Sequence, residues 1–318
     1  MNIKKLKNLF FNIMKSKKDI NTHYVNSNVN SILDFLINRS SMHNYKIIEY
    51  INTFDEYLDI SKKYSDIFET DKIISTLLES VNFHGDYIYK YSGYCDACKS
   101  KTEFFIETMW KNQTEGISCL QCGLNSRMRN MFYFIDQYYR PDMDVYISEQ
   151  VTNFYKILKN RIPNLIGSEY DPTKKLTGIM HQDVTNFDFH DKSFDMYISN
   201  DVFEHVFDYK KALYEAYRIL KYCGILILHV PLHPMNNIIV RSKIVGNEIF
   251  HIKPPIYHGD PLSEDGALCV TDFGWDILKE IKSVGFKNVK IVMRRDIERG
   301  IHGNNILTII AKKENTDA

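Results

Sequence analysis

The sequence predicts an α/β fold: a mostly parallel sheet with helices on both faces, preceded by a helical region and a small metal-knuckle ribbon. Three observations carry this. From about residue 140, short apolar runs alternate with amphipathic helical periodicity, the pattern of a covered parallel sheet. Four of the six cysteines fall between residues 89 and 131, in two C-x-x-C pairs. Ahead of them, residues 1–88 show apolar spacing of three to four, as in Phe54, Leu58, Ile60, Tyr64, Ile67 and Phe68. The expected domains are therefore 1–88, 89–131 and 140–313.

The first stretch, MNIKKLKNLFFNIMKSKKDI, is basic with a short apolar patch at Leu9, Phe10 and Phe11. It lacks the longer apolar core and small-residue cleavage site of a signal peptide. No apolar run reaches the roughly 18–20 residues of a spanning helix. The stretch reads as an amphipathic packing helix, or as a weak membrane-surface contact through Lys4, Lys5, Lys7, Lys15, Lys17 and Lys18. A cytoplasmic chain is expected. With 40 basic and 40 acidic residues the formal charge is zero, which argues against a general nucleic-acid coat. At 44% hydrophobic residues, the 318-residue chain can bury a sizeable core.

In the ribbon, Cys95-x2-Cys98 and Cys119-x2-Cys122 are separated by 20 residues. That spacing fits a four-thiolate zinc site, in which each C-x-x-C turn aims two sulfurs at one point. Two disulfides are the alternative, disfavoured without an export signal; unpaired core thiols are another. With four protein ligands no position is open for water, so the zinc role is structural. TEFFIETMW between the pairs reads as a ribbon strand. Arg127 and Arg129 then lead into the apolar helix MFYFIDQYY, as a solvated helix start or as a cationic clamp for an anionic group. Cys223 and Cys269 stand alone and read as buried small hydrophobes.

The third region reads, in order, as strand 143–148, helix 150–160, strands 164–168, 177–182 and 193–199, helix 208–221, strand 224–230, helix 270–284, and strands 289–294 and 305–313. The short link Arg295–Asn304 makes the last two an antiparallel pair. Open α/β sheets bind ligands outside the carboxyl ends of their strands. Glu169, Asp183, Asn200 and Pro231 fall at such ends.

Within this region His181-Gln182-Asp183, Asp191-Lys192-Ser193-Phe194-Asp195, Asn200-Asp201-Val202-Phe203-Glu204-His205, Arg218-Ile219-Leu220-Lys221-Tyr222-Cys223-Gly224 and Val230-Pro231 follow one another in fixed order. This pattern resembles the second half of class I S-adenosylmethionine-dependent methyltransferases, the type-11-like group, over about 140–313. The resemblance implies a Rossmann-like seven-stranded sheet with S-adenosyl-L-methionine as cofactor. It implies Glu169 on the ribose hydroxyls, Asp183 on the adenine amino group with Val184 near the ring, and Asn200 and Asp201 at the methionine end. Glu204 and His205 would flank the pocket mouth. Asp195 reads as a fold-supporting residue. The knuckles followed by CGLNSRMRN, and the later PPIYHGDPLSEDGALCVTDFGWDIL, resemble a bacterial subgroup with an N-terminal zinc ribbon, often linked to surface-glycan gene clusters.

One departure stands out. The family's first strand runs into a glycine-rich loop, whereas this chain has MDVYISEQVTNFYKIL, with Ser148, Glu149 and Gln150 in the turn. Ser148 or Glu149 would then meet the cofactor's amino group. A hydroxyl acceptor needs a base, and among His205, His229, His233 and His258 the leading catalytic candidates are His258 and His205. The expected partner is a small-molecule acceptor such as a sugar or glycan precursor. The alternatives are an RNA or protein methyltransferase that uses the ribbon for recognition, and a non-catalytic binding module, motivated by the missing glycines.

Overall fold

The computed structural model describes residues 46–69, 71–72, 87–107, 113–171, 176–303 and 306–314. The basic stretch with Lys4, Lys5, Lys7, Lys15, Lys17 and Lys18 lies outside the described residues. No helix among the described residues is long and apolar enough to cross a membrane. In chain order the strands are β1 (Ile47–Ile51), β2 (Tyr87–Cys95), β3 (Ser100–Glu107), β4 (Ile117–Cys119), β5 (Val145–Ile147), β6 (Ile166–Gly167), β7 (Phe194–Asn200) and β8 (Leu220–His229). They continue as β9 (Ile239–Val240), β10 (Ser242–Val245), β11 (Glu248–His251), β12 (Tyr257–Asp260), β13 (Ser263–Leu268), β14 (Thr271–Asp272), β15 (Lys287–Arg295) and β16 (Leu307–Lys312). The helices are α1 (Phe54–Lys63), α2 (Gln113–Gly116), α3 (Ser126–Tyr138), α4 (Asn153–Arg161), α5 (Tyr209–Ile219) and α6 (Ile277–Ser283).

The chain divides into two compact units. The larger holds the described parts of Glu49–Asp59, Met131–Met293 and Leu307–Ala318. The seven-stranded sheet, which it mostly contains, has the order β6-β5-β7-β8-β16-β15-β1. Strands β5–β8 are mutually parallel, with Tyr146 opposite Tyr197 and Ile198 opposite Ile227. Met196, Tyr197, Ile198, Leu226, Ile227 and Leu228 are all fully buried, as strands covered on both faces must be. Strand β16 runs antiparallel to both β8 and β15, the expected terminal pair. Helix α5 buries Ala212, Leu213, Ala216 and Ile219 along one stripe and is capped by Asp208, which accepts from the Lys211 N–H at 3.0 Å. Asp195 supports the fold as expected: its carboxylate accepts from the Asp144 N–H at 2.9 Å and from Lys221 Nζ at 2.8 Å.

Four expectations need correction. KIIEYI, inside the stretch read as helical, contains strand β1 of the central sheet. Residues 177–182 form one isolated bridge, Glu169 to His181, rather than a strand. The Gln150 side chain takes over that ladder: its Oε1 accepts from the Met180 N–H at 2.9 Å and its Nε2 donates to Gly178 O at 3.4 Å. The helix read at 270–284 begins only at Ile277, after β14 pairs with β9. Gly274 sets that break: a Cβ there would lie 2.3–2.6 Å from the carbonyl oxygens of Asn237, Asn236 and Met235. Cys269 is buried as expected, but Cys223 is exposed, in a left-handed turn at φ +63°.

The smaller unit comprises the described parts of Met1–Ile48, Ile60–Asn130 and Arg294–Ile306. Strands β2, β3 and β4 form an antiparallel ribbon, with Cys95 opposite Ser100 and Phe104 opposite Cys119. Arg129 is fully buried, lies 4.5 Å from the Phe104 ring centroid, and donates to Ile117 O at 3.0 Å, to Gly300 O at 2.5 Å and to Leu124 O. Arg127 binds Glu115 at 2.8 Å. Neither arginine is solvated or open to a ligand, because the ribbon's loop carbonyls and Glu115 engage both. Asp96 pairs with Arg294 at 2.9 Å and Arg299 at 2.8 Å, and Arg295 with Asp71 at 2.7 Å.

Candidate functional site

In the larger unit the carboxyl ends of β5, β6 and β7 open onto a cavity of about 490 Å³. Its lining includes Ser148, Glu169, Tyr170, Asp183, Val184 and His205. Five of the sequence-selected residues, Ser148, Glu169, Asp183, Val184 and His205, are thereby brought together. Glu149, Asn200, Asp201 and His258 are not among the lining residues.

The glycine-free loop is held by Glu169. Its Oε1 accepts from the backbone N–H groups of Gln150 at 2.5 Å and Val151 at 2.8 Å. Its Oε2 accepts no hydrogen bond among the described residues. Burial pushes the Glu169 carboxyl pKa up, against the two amide donors that lower it. Room for the loop comes from the neighbouring strand: a Cβ on Gly167 would lie 2.6 Å from Glu149 O and 2.4 Å from the Tyr155 ring. The glycine that the turn itself lacks sits on β6. Glu149 is buried and accepts from the Thr152 hydroxyl, while Thr152 caps α4 through the Tyr155 N–H. Ser148 donates to Ser199 Oγ at 3.1 Å and accepts from Tyr197 Oη at 3.3 Å.

Asp183 sits in a tight turn, with Oδ1 accepting from the Thr185 N–H at 2.8 Å and hydroxyl at 2.7 Å. Its Oδ2 has no partner among the described residues. Val184 is buried beside it. Asp201 adopts φ +52°, a region Asp tolerates, and its Oδ1 lies 2.7 Å from His229 Nδ1. Tyr170, 62% exposed and tilted at 44° to the His181 ring with centroids 5.7 Å apart, is a wall residue that sequence reasoning missed. Its place directly after Glu169 was the available signal.

Beside the cavity a second cluster forms. Phe203–His205 is a short 3-10 turn, and the β12–β13 hairpin carries His258 to it. Glu204 is buried at 1% exposure, and among the described residues neither of its carboxylate oxygens has a hydrogen-bond partner. His205 Nε2 and His258 Nδ1 each lie 3.7 Å from Glu204 Oε1. His205 Nδ1 lies 2.9 Å from Leu268 O. Cys269 and then Glu204 push the His258 imidazole up to about 10.

In the smaller unit the four ribbon cysteines converge. Cys95 Sγ lies 3.8 Å from Cys122 Sγ, and Cys98 Sγ 3.8 Å from Cys119 Sγ. All four sulfurs lie within 4.8 Å of one another. The Cys98 N–H donates to Cys95 Sγ at 3.4 Å. Hydrogen bonds from Cys122 and then Cys95 lower the Cys119 thiol pKa. None of the six cysteines is in a disulfide, so that alternative is not the one realised.

Comparison with known proteins adds the following. No curated protein matches the chain. Among solved structures, a SAM-dependent methyltransferase from Thermotoga maritima is 19% identical, with 59% of this chain and 88% of that one covered and a TM-score of 0.36. A SAM-dependent methyltransferase from Methanosarcina mazei is 13% identical, covering 57% and 97%, with a TM-score of 0.36. A 1,6-didemethyltoxoflavin-N1-methyltransferase from Burkholderia thailandensis, solved with 1,6-didemethyltoxoflavin and S-adenosylhomocysteine, is 15% identical, covering 60% and 79%, with a TM-score of 0.37. Residues 141–228 of this chain, most of the segment that builds β5 to β8, match the family model described as a methyltransferase domain.

Proposed function

We propose that the cavity binds S-adenosylmethionine and that the domain transfers its methyl group to a small-molecule acceptor, with a sugar or glycan precursor as the class the sequence resemblance implies. The observation that carries this is Glu169. One of its oxygens fixes the loop after β5, and the other is left to accept from a ligand in a cavity of about 490 Å³. A carboxylate at that strand end accepts from the two ribose hydroxyls. Asp183 Oδ2 is the acceptor for the adenine amino group, and Val184 packs beside the ring. Ser148 is the loop side chain at the cavity wall, whereas Glu149 is turned to Thr152. Asn200 and Asp201, at the end of β7, are assigned to the methionine end.

When bound, the cofactor supplies an activated methyl group on a sulfonium, so the chain's own residues align the reactants and exclude water. Arg127 and Arg129 are both engaged within the ribbon unit, so the alternative of an RNA or protein acceptor rests on the ribbon without them. For the ribbon, structural Zn2+ fits the donors: sulfurs ~2.3 Å from a tetrahedral ion stand about 3.8 Å apart, and the two measured separations are 3.8 Å.

Calorimetric titration of the full chain with S-adenosylhomocysteine tests the reading. One site per chain is expected, with Glu169→Gln about 10-fold weaker or more, the loss of a charge-assisted acceptor. Gln keeps an Oε1 for the loop amides, so the variant's melting curve should stay cooperative. A folded wild-type chain that releases no heat removes the enzyme reading.

A further inference from the structure

The Glu204, His205 and His258 cluster lies outside the nucleoside roles assigned above. Glu204 is a buried carboxylate whose two oxygens have no hydrogen-bond partner among the described residues, and such a group costs several kcal/mol unless a cation or donors meet it. The two imidazole nitrogens beside it do not meet it by hydrogen bonding, because 3.7 Å is too long. The Leu268 carbonyl can only accept, so His205 carries its proton on Nδ1. In the neutral tautomer that this contact favours, the lone pair of Nε2 is turned toward the carboxylate, the orientation of two ligands around a shared ion.

We propose that Glu204, His205 and His258 bind a divalent transition-metal ion. One carboxylate and two imidazoles are the donor set of zinc and of non-haem iron or manganese sites that keep open positions. The spacing fits: ligand atoms ~2.1 Å from a shared tetrahedral ion stand about 3.4 Å apart, and both nitrogens lie 3.7 Å from Glu204 Oε1, with all three donor atoms within 4.8 Å of one another. The Leu268 carbonyl fixes the His205 ring in the ligating tautomer, the role such outer partners play around metals. Three protein donors leave at least one position for an oxygen ligand. His205 also lines the cavity, so that ligand is water or a hydroxyl of the acceptor; this last step rests on the reading of the cavity given above.

The test is cobalt(II) substitution of the full chain, read by visible absorption and metal content without any nucleoside. Cobalt in the ribbon gives thiolate-to-metal charge transfer. Cobalt at the proposed site gives weak visible bands without it. The wild-type chain should show those weak bands, and Cys119→Ser should retain them. His258→Ala, a change in a half-buried hairpin side chain, should lose them while its thermal unfolding stays cooperative; His205→Ala should do the same. A wild-type chain that shows no such bands, or a His258→Ala chain that keeps them, overturns the proposal. Neither result bears on S-adenosylhomocysteine binding, which is measured separately.

Discussion

Single side chains carry most of the site. Glu169 was selected because the resemblance places an acid after the second strand, and the structure shows that it holds the loop that lacks glycines. Gly167 was not legible, since its purpose depends on Glu149 O and Tyr155 approaching from elsewhere in the chain. His302 shows a residue whose effect is on stability. It is buried, its Nε2 lies 3.0 Å from Tyr91 Oη, and burial followed by Arg295 and Arg129 holds its pKa well below the usual value. A histidine neutral when folded and protonated when unfolded contributes stability above about pH 6.5 that is lost as pH falls below it. Stability measured by denaturant unfolding from pH 7 to pH 5 should therefore fall more steeply for the wild type than for His302→Gln. Parallel profiles would show that His302 does not contribute.

At the scale of elements, strands β5, β7 and β8 and helices α4 and α5 were readable because each carries an uninterrupted apolar pattern of one period. Strand β1 was not, because its partner β15 is more than 200 residues away in sequence and five residues of IIEYI fit either period. The hairpins β10–β11 and β12–β13 were also missed. Their strands are mostly exposed, so no alternation of burial marks them. The ribbon was legible from cysteine spacing alone, but the buried Arg129 at the start of α3 was not, since a charged residue in a polar-looking turn gives no sign of the carbonyls it will meet. A four-thiolate site contributes folding energy directly. Cys119→Ser should lose one bound zinc per chain by elemental analysis, and amide exchange over β2–β4 should rise by at least 10-fold. Unchanged zinc content and exchange would contradict a structural ion there.

For the whole molecule, the account rests on one arrangement. Four parallel strands end together, and their carboxyl ends gather an acid after β6, a second acid and an apolar wall after the bridge at His181, and the turn after β7. The glycine-free loop narrows this entry without filling it, because Gly167 lets it lie close to β6. A crystal structure of the chain with S-adenosylhomocysteine is the most direct measurement. The account predicts density for the nucleoside in this cavity, with the ribose hydroxyls on Glu169 Oε2 and the adenine beside Val184. A nucleoside found elsewhere on the chain, or one that makes no contact with Glu169, would contradict it.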